Sequence, residues 1–78
     1  MYHVYILHSD NLGRYYTGSC SDLGKRLSEH NRAQSRYTKR GIPWRLVRSF
    51  EVATRGEALK LETSIKKRGA ARFLSGVI

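Results

Sequence analysis

Two extended-type runs flank a turn cluster at the start of the chain, and in so short a sequence they decide most of what can follow. Residues 2–7, YHVYIL, are β-branched and aromatic; SDNLG at 9–13 collects residue types that close turns; RYYTGS at 14–19 resumes the extended pattern. This arrangement predicts a β-hairpin. A chain of 78 residues buries only about 60–65% of the surface its unfolded form exposes. It is therefore expected to form one domain over residues 1–78, in which every inward position counts. A hydrophobic fraction of 40% supports a core, though one marginal enough to gain from a ligand or partner.

After the hairpin, Ser21 offers an N-cap, Asp22 suits the positive end of a helix, and Leu23 and Leu27 carry an amphipathic helix to about residue 32. The stretch NRAQSRYTKRGIP has no periodicity, holds four basic residues and ends in the one proline, so it predicts a mobile basic loop. WRLVRSFEV at 44–52 alternates apolar and polar residues over most of its length, as a third strand with one buried face does. TRGE at 54–57 is a capping box that starts a helix through about residue 67, closed by Gly69. AARFLSGVI then predicts a short helix or turn laid over the core by Phe73 and Leu74. The order is ββαβα(α), an α+β class, with no internal repeat and no low-complexity tract.

Fifteen Lys and Arg against six Asp and Glu give a formal charge of +9. A polyanion is the natural partner, nucleic acid first, because each phosphate met by a basic side chain releases counterions. A basic surface with no ligand and a polybasic membrane contact are the alternatives. Candidate backbone contacts are Lys25, the loop group Arg32, Arg36, Lys39 and Arg40, and the cluster Lys66, Lys67 and Arg68. Cys20 is the one cysteine, so no intramolecular disulfide is possible and a reducing cytoplasm is the expected setting. No secretory signal is visible, and no apolar run approaches the roughly 20 residues of a membrane span.

Polar groups recur where core residues belong. Leu23, Arg26, Leu27 and His30 share one side of a helical period, so either the inward face is half polar or Arg26 and His30 snorkel out between the leucines. Ala58, Leu61, Glu62 and Ile65 share a face of the second helix, and Glu62 there needs a cation. An ion pair with Arg26 supplies one; a divalent metal with a water shell, in the manner of Mg²⁺, supplies another. Tyr5 and Tyr16 fall near each other across the hairpin, either as core rings with hydroxyls at the rim or as part of a site. Gly18, just ahead of the helix, leaves room for a ligand to approach the backbone. Other constellations fail: His3 and His8 point to opposite faces of a strand, one cysteine allows no common zinc set, and there is no P-loop and no serine-nucleophile motif.

Val4-Tyr5 followed by Tyr16-Thr17-Gly18, with Arg26 and His30 on the helix after the glycine and Glu62 in EALKLE, resembles the GIY-YIG nuclease superfamily. The likeness covers essentially the whole chain and is strongest to short, stand-alone bacterial GIY-YIG domain proteins. Each tripeptide alone is weak; the ordered set of Tyr, Tyr, Gly, Arg, His and Glu is specific. His3 stands where the family name has Gly, Thr17 where it has Ile, and no asparagine follows Glu62, whereas several nucleases of the superfamily carry a late one.

The resemblance implies a small three-stranded antiparallel sheet with flanking helices and a cleft where these polar groups converge. It implies a metal-dependent endonuclease hydrolysing DNA phosphodiester bonds, with RNA left open as a substrate. Glu62 would hold one Mg²⁺ or Mn²⁺, Tyr5 would act as general base on water or position it, and Tyr16 would support the hydrogen-bond network. Arg26 would stabilise transition-state charge, while His30 would orient Tyr5 or move protons. Lacking a second domain to read base edges, such an enzyme is expected to have low sequence specificity, to recognise a DNA shape as repair nucleases do, or to take its specificity from an accessory protein. A non-catalytic nucleic-acid-binding module with the same fold is the alternative, and a protein-interaction domain with a buried Arg26–Glu62 pair is a third reading.

Overall fold

A computed structural model describes residues 1–32 and 39–76. The element order is β1 (Tyr2–Ser9), β2 (Arg14–Cys20), α1 (Leu23–Asn31), a 3₁₀ turn (Lys39–Gly41), β3 (Trp44–Val52), α2 (Arg55–Arg68) and α3 (Ala70–Leu74). The three strands form one antiparallel sheet in the order β2-β1-β3. Helix α1 lies on one face and α2 with α3 on the other, so the central strand is covered on both sides. That is why Val4, Tyr5, Ile6 and Leu7 are buried in succession rather than alternately.

Two cores result. Val4 and Ile6 pack with Ala58 and Ile65 of α2, joined by Phe50, Val52, Phe73 and Leu74; Tyr5 and Leu7 pack with Cys20 and Trp44, joined by Tyr16, Leu23 and Leu27. The third strand feeds both. Its pairing shifts between Ile6 and Leu7, where Ile6 faces Arg48 but Leu7 faces Leu46, leaving Val47 as an extra residue. Because a one-residue slip reverses every side chain, Trp44 joins the α1 side and Phe50 the α2 side. The single buried face read from the alternation of residues 44–52 is thus divided between two layers, and Leu46 remains 39% exposed.

The helix ends follow local chemistry. Asp22, rather than Ser21, caps α1 by accepting from the Lys25 N–H at 3.1 Å, because β2 continues through Cys20 and the helix begins one residue later than expected. Thr54 caps α2 by accepting from the Glu57 N–H at 3.1 Å, and its hydroxyl donates to the Glu57 carboxylate. Gly69 ends α2 at φ 93°, a conformation that disfavours side chains, with its N–H on the Ile65 carbonyl. Lys66, Lys67 and Arg68 occupy the last turn, where the helix dipole favours positive charge independently of any ligand. Asn31, the last residue of α1, accepts from the Trp44 N–H at 2.6 Å and donates to the Trp44 carbonyl at 3.0 Å. This two-bond clamp ties α1 to the start of β3 and sets the height of His30 over the sheet. Arg36 and the centre of the expected basic loop lie outside the described residues. No helix among the described residues is long and apolar enough to cross a membrane.

Candidate active site

Strand alternation and helical spacing converge on one cluster. Tyr5 on β1 and Tyr16 on β2 face the α1 side, and α1 lowers His30 between them. Ring centroids are 6.4 Å apart for Tyr5 and Tyr16, 5.9 Å for Tyr5 and His30, and 5.0 Å for Tyr16 and His30. The Trp44 ring closes the group at 6.0 Å from Tyr16. His30 is 3% exposed and Tyr5 2%, whereas Tyr16 is only partly buried. Of the two arrangements open for the α1 face, the structure realises a mixture: His30 points inward, and Arg26 stays at the rim, 47% exposed, with Glu29 at 3.4 Å.

The Tyr5 hydroxyl lies 3.1 Å from His30 Nε2. Burial, followed by the neighbouring Tyr16, pushes the Tyr5 phenol well above its ordinary value of 10.0, against a smaller opposite pull from Arg26. Burial and the Arg26 charge hold the His30 imidazole below its ordinary 6.5. Both groups are therefore neutral near pH 7. Tyr5 keeps its proton, and its hydroxyl and Nε2 share one hydrogen bond between two neutral groups.

A pH dependence of stability follows. In the unfolded chain His30 binds its proton near 6.5, while in the fold it resists protonation, so the unfolded state holds more protons in that window. The His30 contribution to stability should be full well above pH 6.5 and be lost as the pH drops below it, by about 1.4 kcal/mol for each unit separating the two values. Urea unfolding at pH 7.5 and 5.5 checks this, because His30→Gln should remove that part of the difference. An equal loss in both proteins would assign it elsewhere.

Glu62 reaches the sheet from the opposite side. Ser19 pairs with Val4 and so faces α2, where its hydroxyl donates to Glu62 Oε1 at 2.7 Å, and Lys66 Nζ donates to Oε2 at 2.8 Å. The carboxylate side chain is 18% exposed. Burial pushes its carboxyl up, but the bonds from Lys66 and Ser19 and the Lys66 charge together prevail and hold it below the ordinary 4.5, so Glu62 is ionised. The partner of Glu62 is thus Lys66 rather than Arg26. The charges of Arg26 and Glu62 both reach Tyr5, but Tyr5, Tyr16 and His30 meet on the α1 side, whereas Glu62 stays on the α2 side behind β2, an edge strand of the sheet.

A cleft of about 1060 Å³ follows that edge. It is lined by Tyr15, Tyr16 and Thr17 of β2, by Trp44, and by the cations Arg14, Arg40 and Lys66. Of the expected basic contacts, Arg40 and Lys66 line it; Lys25 lines a separate depression of about 330 Å³ with Cys20, Arg26 and Glu29; Arg32, Lys39, Lys67 and Arg68 are exposed outside it. Gly18 differs from its expected role. It is buried opposite Tyr5, and a side chain there would meet the Tyr5 hydroxyl at 2.5 Å, so the space it leaves is taken by Tyr5 and not by a ligand. Arg14 and Ser19 were not among the expected site residues. Arg14 could have been noticed as a basic residue beside Tyr16, and Ser19 as the hydroxyl that alternation places behind Gly18.

Comparison with known proteins identifies the family. The family model of the GIY-YIG catalytic domain matches residues 1–73. A UPF0213 protein of Halobacterium salinarum is 33% identical over 73 residues, covering 92% of this chain and 94% of its own. A UPF0213 protein of Staphylococcus aureus strain Mu3 is 42% identical over 64 residues, covering 81% of this chain and 77% of its own. No solved structure gives a significant match. With the GIY-YIG catalytic domain matched over residues 1–73 and a relative 33% identical over 92% of the chain, the chain belongs to the GIY-YIG family, a nuclease superfamily.

Proposed function

We propose that the protein is a divalent-metal-dependent endonuclease that hydrolyses DNA phosphodiester bonds, with low sequence specificity or with preference for a DNA shape. The observation that carries this reading is the ionised Glu62, mostly buried and bonded to a residue that lines a cationic cleft. A module that only binds DNA gains nothing from a fixed negative charge beside phosphate.

The donor set suits a hydrated Mg²⁺ or Mn²⁺. Glu62 offers one carboxylate and Ser19 one hydroxyl, and no group of three His, Cys, Asp or Glu able to hold a metal occurs among the described residues. Mg²⁺ commonly takes one or two carboxylates and keeps water and phosphate oxygens for the rest, whereas zinc needs a nitrogen or sulfur set. When bound, such an ion polarises a phosphate oxygen and stabilises the leaving 3′ oxygen.

The chain's own groups divide the remaining work by exposure. Tyr5 is sealed and holds its proton, so it fixes His30 and the back of the site instead of taking a proton from water. Tyr16, open to the cleft, is the tyrosine placed to touch the attacking water. Arg26, in the separate depression, would meet the charge that builds on phosphorus where the substrate spans both depressions, and Arg14 and Arg40 in the cleft hold the backbone.

The test is cleavage of end-labelled linear, nicked and branched DNA, with RNA of the same sequence in parallel, in Mg²⁺ or Mn²⁺. Cutting of DNA that stops on addition of EDTA and resumes with excess metal is the expected result. Similar rates on unrelated duplexes are expected, and a single cut at one defined sequence would exclude low specificity. Binding with steep salt dependence but no cutting under any condition would leave a nucleic-acid-binding module.

A further inference from the structure

Lys66 is bonded to the carboxylate that the proposed reaction needs for its metal. The contact is 2.8 Å to Oε2, while Ser19 holds Oε1. An ammonium and a divalent ion compete for that oxygen, because like charges a few ångströms apart repel. The neutral Ser19 hydroxyl presents no such conflict. Lys66 itself is 56% exposed on a flexible four-carbon stem, so it can leave Glu62 without moving α2. It also lines the cleft with Arg14 and Arg40, and no acidic residue contributes to that lining among the described residues. A phosphate entering the cleft brings negative charge to it.

We propose that Lys66 is a resident cation on Glu62 which metal loading transfers to a substrate phosphate in the cleft, so that metal and nucleic acid each strengthen the other's binding. This rests on the reading of Glu62 as the metal carboxylate. A phosphate that draws Lys66 across the cleft uncovers Oε2, and a metal on Oε2 releases Lys66 toward phosphate. Linkage requires the two effects to be equal in size.

Mn²⁺ binding to the full chain, read from the EPR signal of the free ion, tests the proposal without turnover. Lys66→Met, which keeps the stem and removes the charge, should bind Mn²⁺ about fivefold or more tighter than wild type. Lys67→Met removes the same charge one residue along, on an exposed side chain, and should stay within about twofold. The affinity for a labelled phosphorothioate duplex should rise with Mn²⁺ severalfold more in wild type than in Lys66→Met. No tightening in Lys66→Met, or the same tightening in Lys67→Met, would overturn the proposal while leaving Glu62 as the metal carboxylate, provided Glu62→Gln abolishes Mn²⁺ binding. Unchanged binding in Glu62→Gln would instead remove the metal assignment beneath it, and the proposal with it.

Discussion

Glu62→Gln lowers the single-turnover cleavage rate in Mg²⁺ by about a thousandfold and leaves DNA affinity measured without metal equal or slightly higher, if Glu62 holds the metal as proposed. Glutamine preserves the shape and still accepts from Ser19, which donates at 2.7 Å to one oxygen. What is lost is the charge and the bond from Lys66. That pair joins a half-exposed ammonium to a side chain 18% exposed, so its loss should cost under about 1 kcal/mol of stability. Removing one negative charge raises the formal charge of +9 by one, which favours a polyanion when no metal is bound. Rate and affinity are thus predicted to move apart, which unfolding cannot mimic. Joint loss of rate, affinity and melting temperature would make Glu62 a structural residue, and an unchanged rate would move the metal elsewhere. Rapid-quench cleavage beside anisotropy binding at several salt concentrations separates these outcomes.

How far the sequence revealed this arrangement depends on whether the cause is local or distant. The third strand, at Trp44–Val52, and the second helix, capped by Thr54 and stopped by Gly69, were legible because their signals lie within a few residues. The strand's division between two faces was not, since the extra residue Val47 is defined only by what β1 presents opposite it. Similarly, β-branched and aromatic residues announced the hairpin, but nothing in it said that Tyr5 would be sealed and Tyr16 open. That difference comes from Tyr5 standing on a strand covered on both faces and Tyr16 on an edge. The inward Glu62 was visible from helical spacing, whereas its true partners were not. Ser19 becomes relevant only when α2 crosses the back of β2, and Lys66 takes the carboxylate because an i,i+4 neighbour is always within reach while Arg26 belongs to a helix on the other face.

Gly18 separates the two kinds of reading most sharply, and Gly18→Ala should destabilise the protein by about 2–3 kcal/mol. An added methyl would stand 2.5 Å from the Tyr5 hydroxyl and 2.8 Å from Cζ, closer than side chains tolerate. The ring has little freedom to yield, because it is 2% exposed and its hydroxyl is bonded to His30. Either β2 moves off β1 or Tyr5 gives up that bond. Tyr5→Phe removes the nearest clashing atom, at the cost of the hydrogen bond to a buried imidazole, itself about 1–3 kcal/mol. In the double variant Gly18→Ala with Tyr5→Phe the two losses should therefore not add, and the cycle should show a coupling of about 1 kcal/mol in the relieving direction. Urea unfolding of the four proteins at pH 7.5 measures it, above the window in which His30 protonates. Strict additivity with little loss of stability, joined to weaker DNA binding in Gly18→Ala alone, would mean that the missing side chain admits a ligand after all. Coupling to Tyr5 would mean that the family's glycine is there so that its first tyrosine can reach the histidine.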